Sequence, residues 1–238
     1  MHDLIMKNLL YLTLLALVVA TNLSVPASAQ TFDQSFAAHQ RRDYVTAFAG
    51  FQKLAQLGYV PAQVWLAHMY KFGQGVRKDE PLAAAWARKA AEQGNASAQD
   101  MLGDAYFYGK GLPKDELLAV VWWRKAADQG VVLSQYTLGM IYGNGLGTPK
   151  DVSQSAFWHS RAAEQGSTEA QSALGLMYAR GEGVVKNEQT AYFWWLLASV
   201  NGNQNAIKLR DLVESRLSLA QRNAAQLAAR TWQPKVDR

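Results

Sequence analysis

Cysteine is absent from this sequence of 238 residues, and its absence excludes a disulfide framework. Hydrophobic residues make up 49% of the chain, so apolar faces packed against one another can supply the stability that cross-links would otherwise provide. We therefore expect a core that is built from apolar side chains alone.

Residues that could carry catalysis or hold a metal are also scarce. The chain has four histidines, and no H-E-x-x-H motif places two of them on one helix face. The S-x-x-K and G-x-S-x-G motifs of serine-based enzymes do not occur, and neither do the glycine-rich nucleotide-binding motifs. The sequence therefore predicts no catalytic residues, no metal site and no cofactor.

No apolar stretch reaches the roughly 20 residues that a membrane-spanning helix needs. The apolar stretch Leu9–Ala20 follows Lys7 and precedes an A-S-A motif at 27–29. This order is typical of a secretory signal peptide, so we expect residues 1–29 to be removed. No cysteine follows the motif, which excludes a lipoprotein anchor. The mature chain is expected to be periplasmic or secreted, soluble and without stable membrane insertion. The alternative is a buried N-terminal helix.

The chain does contain a sequence period of 36 residues. The recurring positions are Gly73/Gly75, Gly109/Gly111, Gly145/Gly147 and Gly181/Gly183, together with Tyr70, Tyr106, Tyr142 and Tyr178, and Trp86, Trp122, Trp158 and Trp194. A fixed period of this length without insertions is the signature of a solenoid, in which neighbouring units complete one another's core. Recurrence in register also favours a packing role for the tryptophans, because a ligand site is usually unique.

Each period predicts two helices. In the copy 95–130, Leu102 and Tyr106 share one helical face, and Gly109 ends that helix because glycine tolerates positive φ. A capping residue then begins the second helix, and these predicted N-caps are Asp79, Asp115, Asp151 and Asn187. His159 occupies the position of Trp123 in the next copy, which predicts a packed aromatic role.

On these residues the chain resembles the Sel1-like repeat family, a relative of the tetratricopeptide repeat. The four matching copies are Tyr59–Gly94, Asn95–Gly130, Val131–Gly166 and Ser167–Gly202. Departures from the family pattern are Ala67 for a glycine, Thr148 for a valine, and Ser134 and Ser155 for alanines. The resemblance implies an all-α, right-handed superhelix of helix pairs that serves as a protein-binding scaffold, usually without catalysis. The missing cysteines exclude the cysteine-rich exported branch of the family. Because exported relatives have been linked to penicillin binding, a cell-wall-active or β-lactam-binding enzyme is the alternative.

Both ends of the array predict caps. Residues 30–58 read as a degenerate repeat, with a capping box at Thr31 and Gln34. Residues 203–238 predict two helices and a tail, and we expect the last helix to pack through Ala220, Ala224, Leu227 and Ala228. Its expected contact is an apolar patch formed by Leu196, Leu197 and Val200, which stand where the inner copies are polar. A monomer is expected, and a dimer through this region is the alternative.

Lysines also recur, at Lys78, Lys114, Lys150 and Lys186 and at Lys53, Lys89 and Lys125, in a chain of net charge +5. A basic stripe for an anionic polymer is one interpretation. The favoured one is a solvated face, since acidic residues lie one or three positions away. Nucleic acid is not an expected partner.

The resemblance implies that the first helix of each pair lines a concave surface, and residues off its packing face are the expected site for another protein or peptide. These residues are Val64, His68, Lys71, Phe72, Asp100, Asp104, Phe107, Tyr108, Tyr136, Met140, Ser172, Leu176 and Arg180. These residues vary between copies, as expected of a groove that binds a specific partner. Replacing Phe107, Tyr136 and Met140 is expected to leave the stability of the fold almost unchanged. The alternative is ordinary variable surface. The chain is thus expected to be an exported interaction scaffold, as an envelope regulator or an assembly factor.

Overall fold

The computed structural model describes residues 27–235, with side chains from residue 31 onward. This part of the chain contains twelve α-helices and no strand. The helices are α1 Ala27–Gln40, α2 Tyr44–Gln56, α3 Val60–Phe72, α4 Glu80–Glu92, α5 Ala96–Tyr108, α6 Glu116–Asp128, α7 Val132–Asn144, α8 Val152–Glu164, α9 Thr168–Arg180, α10 Glu188–Val200, α11 Gln204–Glu214 and α12 Leu219–Thr231. Each helix from α1 to α10 packs against the next along the chain, and α12 packs against α10. The prediction of an all-α solenoid is confirmed.

The expected signal peptide lies almost wholly outside the described residues. The expected cleavage point after Ala29 falls inside α1, which begins at Ala27. The capping box predicted at Thr31 is wrong, because the helix begins four residues earlier in an alanine-containing segment that favours helix. The Thr31 carbonyl instead accepts a hydrogen bond from Ser35 Oγ at 2.8 Å, within the helix.

The predicted N-caps of the second helices are confirmed. Each of the four side chains accepts a hydrogen bond from the backbone N–H three residues on, at Leu82, Leu118, Gln154 and Thr190, over 2.8–3.0 Å. The first glycine of each pair ends the first helix in the left-handed region, as Gly109 does at φ 65°. The second glycine permits a close approach, since a Cβ at Gly111 would lie 2.2 Å from the Glu80 carbonyl oxygen.

Within three of the four repeats, a ring from the second helix packs onto a glycine of the first. The pairs are Gly103 with Trp123, Gly139 with His159 and Gly175 with Trp195, and a Cβ on any of these glycines would lie 2.6 Å from the ring. The predicted packed role of His159 is confirmed, because its side chain is buried. The first repeat has Ala67 and Ala87 at the two positions, and both are buried.

Glutamines join successive repeats through a series of hydrogen bonds, here called the glutamine ladder. Its buried members are Gln63, Gln99, Gln135 and Gln171, and each donates to a carbonyl at the end of the preceding helix over 3.0–3.3 Å. Three of them also accept from a second glutamine, Gln93, Gln129 or Gln165, over 2.7–2.8 Å. Asn201 replaces that glutamine in the last repeat, and the buried Gln171 Oε1 has no hydrogen-bond partner among residues 27–235.

The first helix pair closes one end of the array with aromatic side chains. Asp43 caps α2 by accepting from the Thr46 N–H at 3.2 Å. Phe51 of α2 is fully buried and stacks on Trp65 of α3 with ring centroids 5.7 Å apart. Phe32 and Phe36 of α1 pack against the same cluster.

At the other end, α12 covers α10 with a different face from the predicted one. The Ser218 capping box is confirmed. The predicted stripe is wrong, because Ala220, Ala224, Leu227 and Ala228 are exposed and Ala225 is the buried residue. Ala229 and Trp232 join the cluster that contains Leu197, as expected, and Leu196 packs beside α11. Val200 is 85% exposed, so the prediction that α12 covers Val200 is wrong.

The C-terminal tail after α12 reaches α8, where Lys235 Nζ lies 3.0 Å from Glu164 Oε2.

Candidate functional site

The thirteen residues predicted as the partner-binding surface all lie on α3, α5, α7 and α9, the first helices of the four repeats. We call this set the first-helix face. None of its members is fully buried, whereas the leucines of the same helices, Leu66, Leu102, Leu138 and Leu174, are at most 1% exposed. The most exposed large apolar side chains of the face are Phe72 at 61%, Tyr108 at 60% and Met140 at 42%.

Contacts between neighbouring helices bring parts of this face together. Lys71 Nζ of α3 lies 3.8 Å from Asp104 Oδ2 of α5. Ser134 Oγ of α7 donates to Asp100 Oδ1 of α5 at 2.5 Å. On α3, the rings of His68 and Phe72 stack with centroids 6.0 Å apart. Polar contacts therefore link the first helices of the first three repeats.

Two members of the face also stabilise the core, which corrects the expectation that they are separable from folding. Phe107 lies 5.2 Å, centroid to centroid, from Trp123. Tyr136 lies 5.5 Å from His159. Both side chains are half-buried because each covers the ring of the second helix, so replacing them removes core contacts. Met140 is exposed, as expected.

Burial shifts the protonation of the ionisable groups on this face. Burial raises the pKa of Asp104, and the positive charges of Lys71 and Lys110 act in the opposite direction. It also raises the pKa of Asp100, and the hydrogen bond from Ser134 opposes that shift. Burial lowers the pKa of His68, and the charge of Lys71 lowers it further. The face thus holds partly desolvated charges whose pairing depends on neighbouring repeats.

A cavity of 180 Å³ opens beside the face between the first and second repeats. Its lining includes the predicted residues Lys71, Phe72 and Asp104. It also includes residues that the sequence reasoning missed: Lys78, Glu80, Ala83, Ala84, Ala87, Met101, Ala105 and Lys110. The signal that could have revealed it is Ala87, which stands where the other three repeats carry Trp123, His159 and Trp195. A second depression, of 440 Å³, borders Val64, His68 and Phe72.

Across residues 27–235, no group of three or more histidine, aspartate or glutamate side chains is arranged to hold a metal ion. None of the helices in this range combines the length and apolarity needed to cross a membrane.

Comparison with known proteins identifies the repeat. The family model for the Sel1 repeat matches residues 60–95, 96–131, 132–167 and 168–203, one residue later than the predicted boundaries. These matches cover more than half of the sequence, so the chain belongs to the Sel1 repeat family. Sel1 repeat proteins generally mediate protein–protein interaction, and the repeat is typically a scaffold without catalytic activity. Comparison with curated protein sequences gave no significant match.

Solved structures of this family resemble the chain. A protective antigen of uropathogenic Escherichia coli strains, which displays an SLR fold, is 35% identical with a TM-score of 0.77. The match covers 88% of this chain and 46% of the antigen chain, so this protein spans about half of that structure's length. A Sel1 repeat protein from Oxalobacter formigenes is 32% identical with a TM-score of 0.69, over 73% of this chain and 71% of its own.

Proposed function

We propose that this protein is an exported, non-enzymatic scaffold whose first-helix face binds a segment of another protein. The observation that carries the proposal is variation within a fixed frame. The buried leucine positions are identical in all four repeats, whereas the face carries Val64, Asp100, Tyr136 and Ser172 at one equivalent position and His68, Asp104, Met140 and Leu176 at another. Such a face offers each segment of a partner a different chemistry.

The exposed apolar side chains of the face support contact with a polypeptide. Phe72 and Tyr108 occupy the same position in the first and second repeats, and Met140 lies on the third. Aromatic residues and methionine are enriched at protein interfaces because they bury a large apolar area and adapt to the partner's shape. Lys71 and Asp104 between them provide polar groups of both signs.

Export is proposed from the first 29 residues, whose charged start, apolar stretch and A-S-A motif are typical of a signal peptide. The partner would then be an envelope or secreted protein, with this chain acting as a regulator or an assembly factor. Intact-mass measurement of periplasmic material tests this part, and the expected chain begins at Gln30. Retention of the uncleaved N-terminus in the membrane fraction would contradict it.

The binding surface is tested by crosslinking the exported protein in its own cell envelope and identifying what is captured. Replacing Phe72, Tyr108 and Met140 by alanine is expected to abolish capture and to weaken the identified partner's affinity more than tenfold. Buried interface anchors often contribute about 2 kcal/mol each, whereas exposed substitutions usually change stability by about 0.5 kcal/mol or less.

The matched control is alanine at three exposed apolar residues of the second helices, Leu117, Val121 and Phe157. This variant is expected to bind the partner normally. Loss of capture in the control, with normal capture by the face variant, would show that the partner binds the second helices. The scaffold proposal would then stand with its surface reassigned.

A further inference from the structure

The first repeat lacks a ring that the other three possess. Trp123, His159 and Trp195 each pack against a glycine of the first helix in their own repeat. The two tryptophans also belong to apolar clusters that include residues of the next helix. Ala87 stands at this position in the first repeat, opposite Ala67 rather than a glycine. The extra Cβ at position 67 replaces only a small part of the missing ring, so a space remains.

That space is the 180 Å³ cavity between α3, α4 and α5. Its floor consists of Ala83, Ala84, Ala87, Met101 and Ala105, all of which are buried. An apolar cavity of about 150 Å³ in a protein core is large enough to take up benzene. The cavity therefore accommodates one compact apolar group, such as a phenyl ring or a branched alkyl chain.

The rim of the same cavity is charged, with lysines in excess. Lys71 and Lys78 lie 3.8 Å and 2.9 Å from the carboxylates of Asp104 and Glu80, respectively. The third lysine, Lys110, lies 5.0 Å from the centroid of the Tyr108 ring. Three ammonium groups against two carboxylates leave one positive charge in excess beside the apolar floor. This combination favours a ligand with one apolar end and one anionic end.

We propose that this cavity is a binding site for a compact apolar carboxylate. The apolar group occupies the volume that a tryptophan or histidine ring fills in the other repeats, and the carboxylate faces Lys110 at the rim. Phe72, which is exposed at the mouth, covers the bound group. The site does not depend on the proposed partner, because its floor and rim belong to this chain alone.

The probes are 3-phenylpropionate and its neutral amide, 3-phenylpropanamide, titrated into the purified exported protein by calorimetry. The acid is expected to bind with one-to-one stoichiometry and the amide at least tenfold more weakly. Lys110→Gln is expected to weaken acid binding by a similar factor. Lys150→Gln, which removes an exposed lysine outside the cavity, is expected to leave it unchanged. Equal binding of acid and amide would overturn the proposal, as would no binding of either.

A filled cavity provides the decisive variant. Ala67→Gly with Ala87→Trp rebuilds the glycine–ring pair of the second and fourth repeats, so the chain itself supplies the design. This double variant is expected to lose acid binding while its thermal unfolding midpoint is maintained or raised. Acid binding that survives in a folded filled variant would place the ligand elsewhere and overturn the proposal. The exposed Lys110 substitution keeps the test valid if the double variant does not fold.

A compact apolar group with a carboxylate can belong to a free small acid or to the C-terminal residue of a polypeptide. A peptide ending in phenylalanine with a free carboxylate is compared with 3-phenylpropionate and with the amidated peptide. Tighter binding of the free-carboxylate peptide than of 3-phenylpropionate supports the site and identifies a polypeptide terminus as its source. Binding of 3-phenylpropionate alone supports the site and identifies a small acid.

Discussion

At the scale of single residues, the fold depends on pairs that match across two helices. A ring at position 123, 159 or 195 requires a glycine 20 residues earlier, because a Cβ there would lie 2.6 Å from ring atoms. Where the ring is missing, at Ala87, the glycine is also missing, and Ala67 takes its place. The chain thus contains two arrangements at this position, a glycine–ring pair in three repeats and an alanine–alanine pair in the first repeat. A cavity accompanies the alanine–alanine pair.

The stability that the Gly139–His159 pair contributes to the fold depends on pH. Burial lowers the pKa of the His159 imidazole from 6.5 to about 4, and Tyr136 is the titratable side chain stacked against it. The unfolded chain therefore binds a proton at higher pH than the folded chain does. Stability from the neutral ring is fully present above pH 6.5 and is lost as the pH falls towards 4, by about 3 kcal/mol in all.

His159→Trp, which copies the second and fourth repeats, is expected to remove this loss. The measurement is the free energy of unfolding of both proteins at pH 7 and pH 4.5. The wild-type protein is expected to lose about 2 to 3 kcal/mol more than the variant, since the carboxylates titrate alike in both. An identical pH dependence in the two proteins would show that His159 does not carry the effect.

At the scale of helices, α12 makes an apolar contact with the last repeat at a position where the first and second repeats carry a lysine. Lys89 and Lys125 lie 4.2 Å and 4.1 Å from the ring centroids of Trp86 and Trp122 in the first and second repeats. In the last repeat Leu197 occupies the equivalent position, and Ala229 and Trp232 join its cluster with Trp194. The helix α12 therefore covers a surface that a lysine would otherwise shield.

Deleting residues 216–238 is expected to expose Leu197 and Phe193 and to cause self-association. Light scattering coupled to gel filtration measures the effect, and deletion of residues 236–238 alone serves as the control. Adding Leu197→Lys to the longer deletion is expected to reduce association, because it restores the cation over Trp194. A longer deletion that remains monomeric with unchanged thermal stability would show that α12 is not a cap.

Structural features that depend on neighbouring residues in the chain can be predicted from this sequence, whereas features that depend on contacts between helices cannot. Helix pairs and caps follow from local residues, such as Asp115 or Gly109, that recur with the period. The sequence does not predict the packing face of α12, because alanines occupy five positions around this helix and periodicity cannot distinguish one face from another. The cavity involves three helices, and its only signal in the sequence is the small side chain of Ala87. The sequence also does not predict the burial of Phe107 and Tyr136, because the rings that they contact belong to a different helix.

At the scale of the whole molecule, the glutamine ladder links the repeats and stops one member short. Buried Gln171 Oε1 lacks the partner that Gln165 provides to Gln135 in the preceding repeat. Asn201 has the right chemistry, but its side chain is one methylene shorter. A buried acceptor without a hydrogen bond destabilises a fold by about 1 to 3 kcal/mol.

Asn201→Gln is therefore expected to stabilise the protein by about 1 kcal/mol, which raises the thermal unfolding midpoint by about 2 to 4 °C in a chain of this length. Differential scanning calorimetry measures the shift. The matched control, Gln129→Asn, shortens an existing link of the ladder and is expected to lower the midpoint. A midpoint unchanged by Asn201→Gln would show that the Gln171 oxygen is already satisfied by solvent.

The junctions between repeats have a consequence for how such proteins diversify. Because the first and second repeats carry equivalent glutamine pairs and keep the same 36-residue spacing, excising residues 95–130 would leave ends that meet in register. The cavity, however, draws Met101, Asp104 and Lys110 from the excised copy, and Thr137, Met140 and Leu146 would take their places. Recombination between repeats would thus change the ligand chemistry of a site without redesigning the fold. The order of the repeats would itself encode specificity.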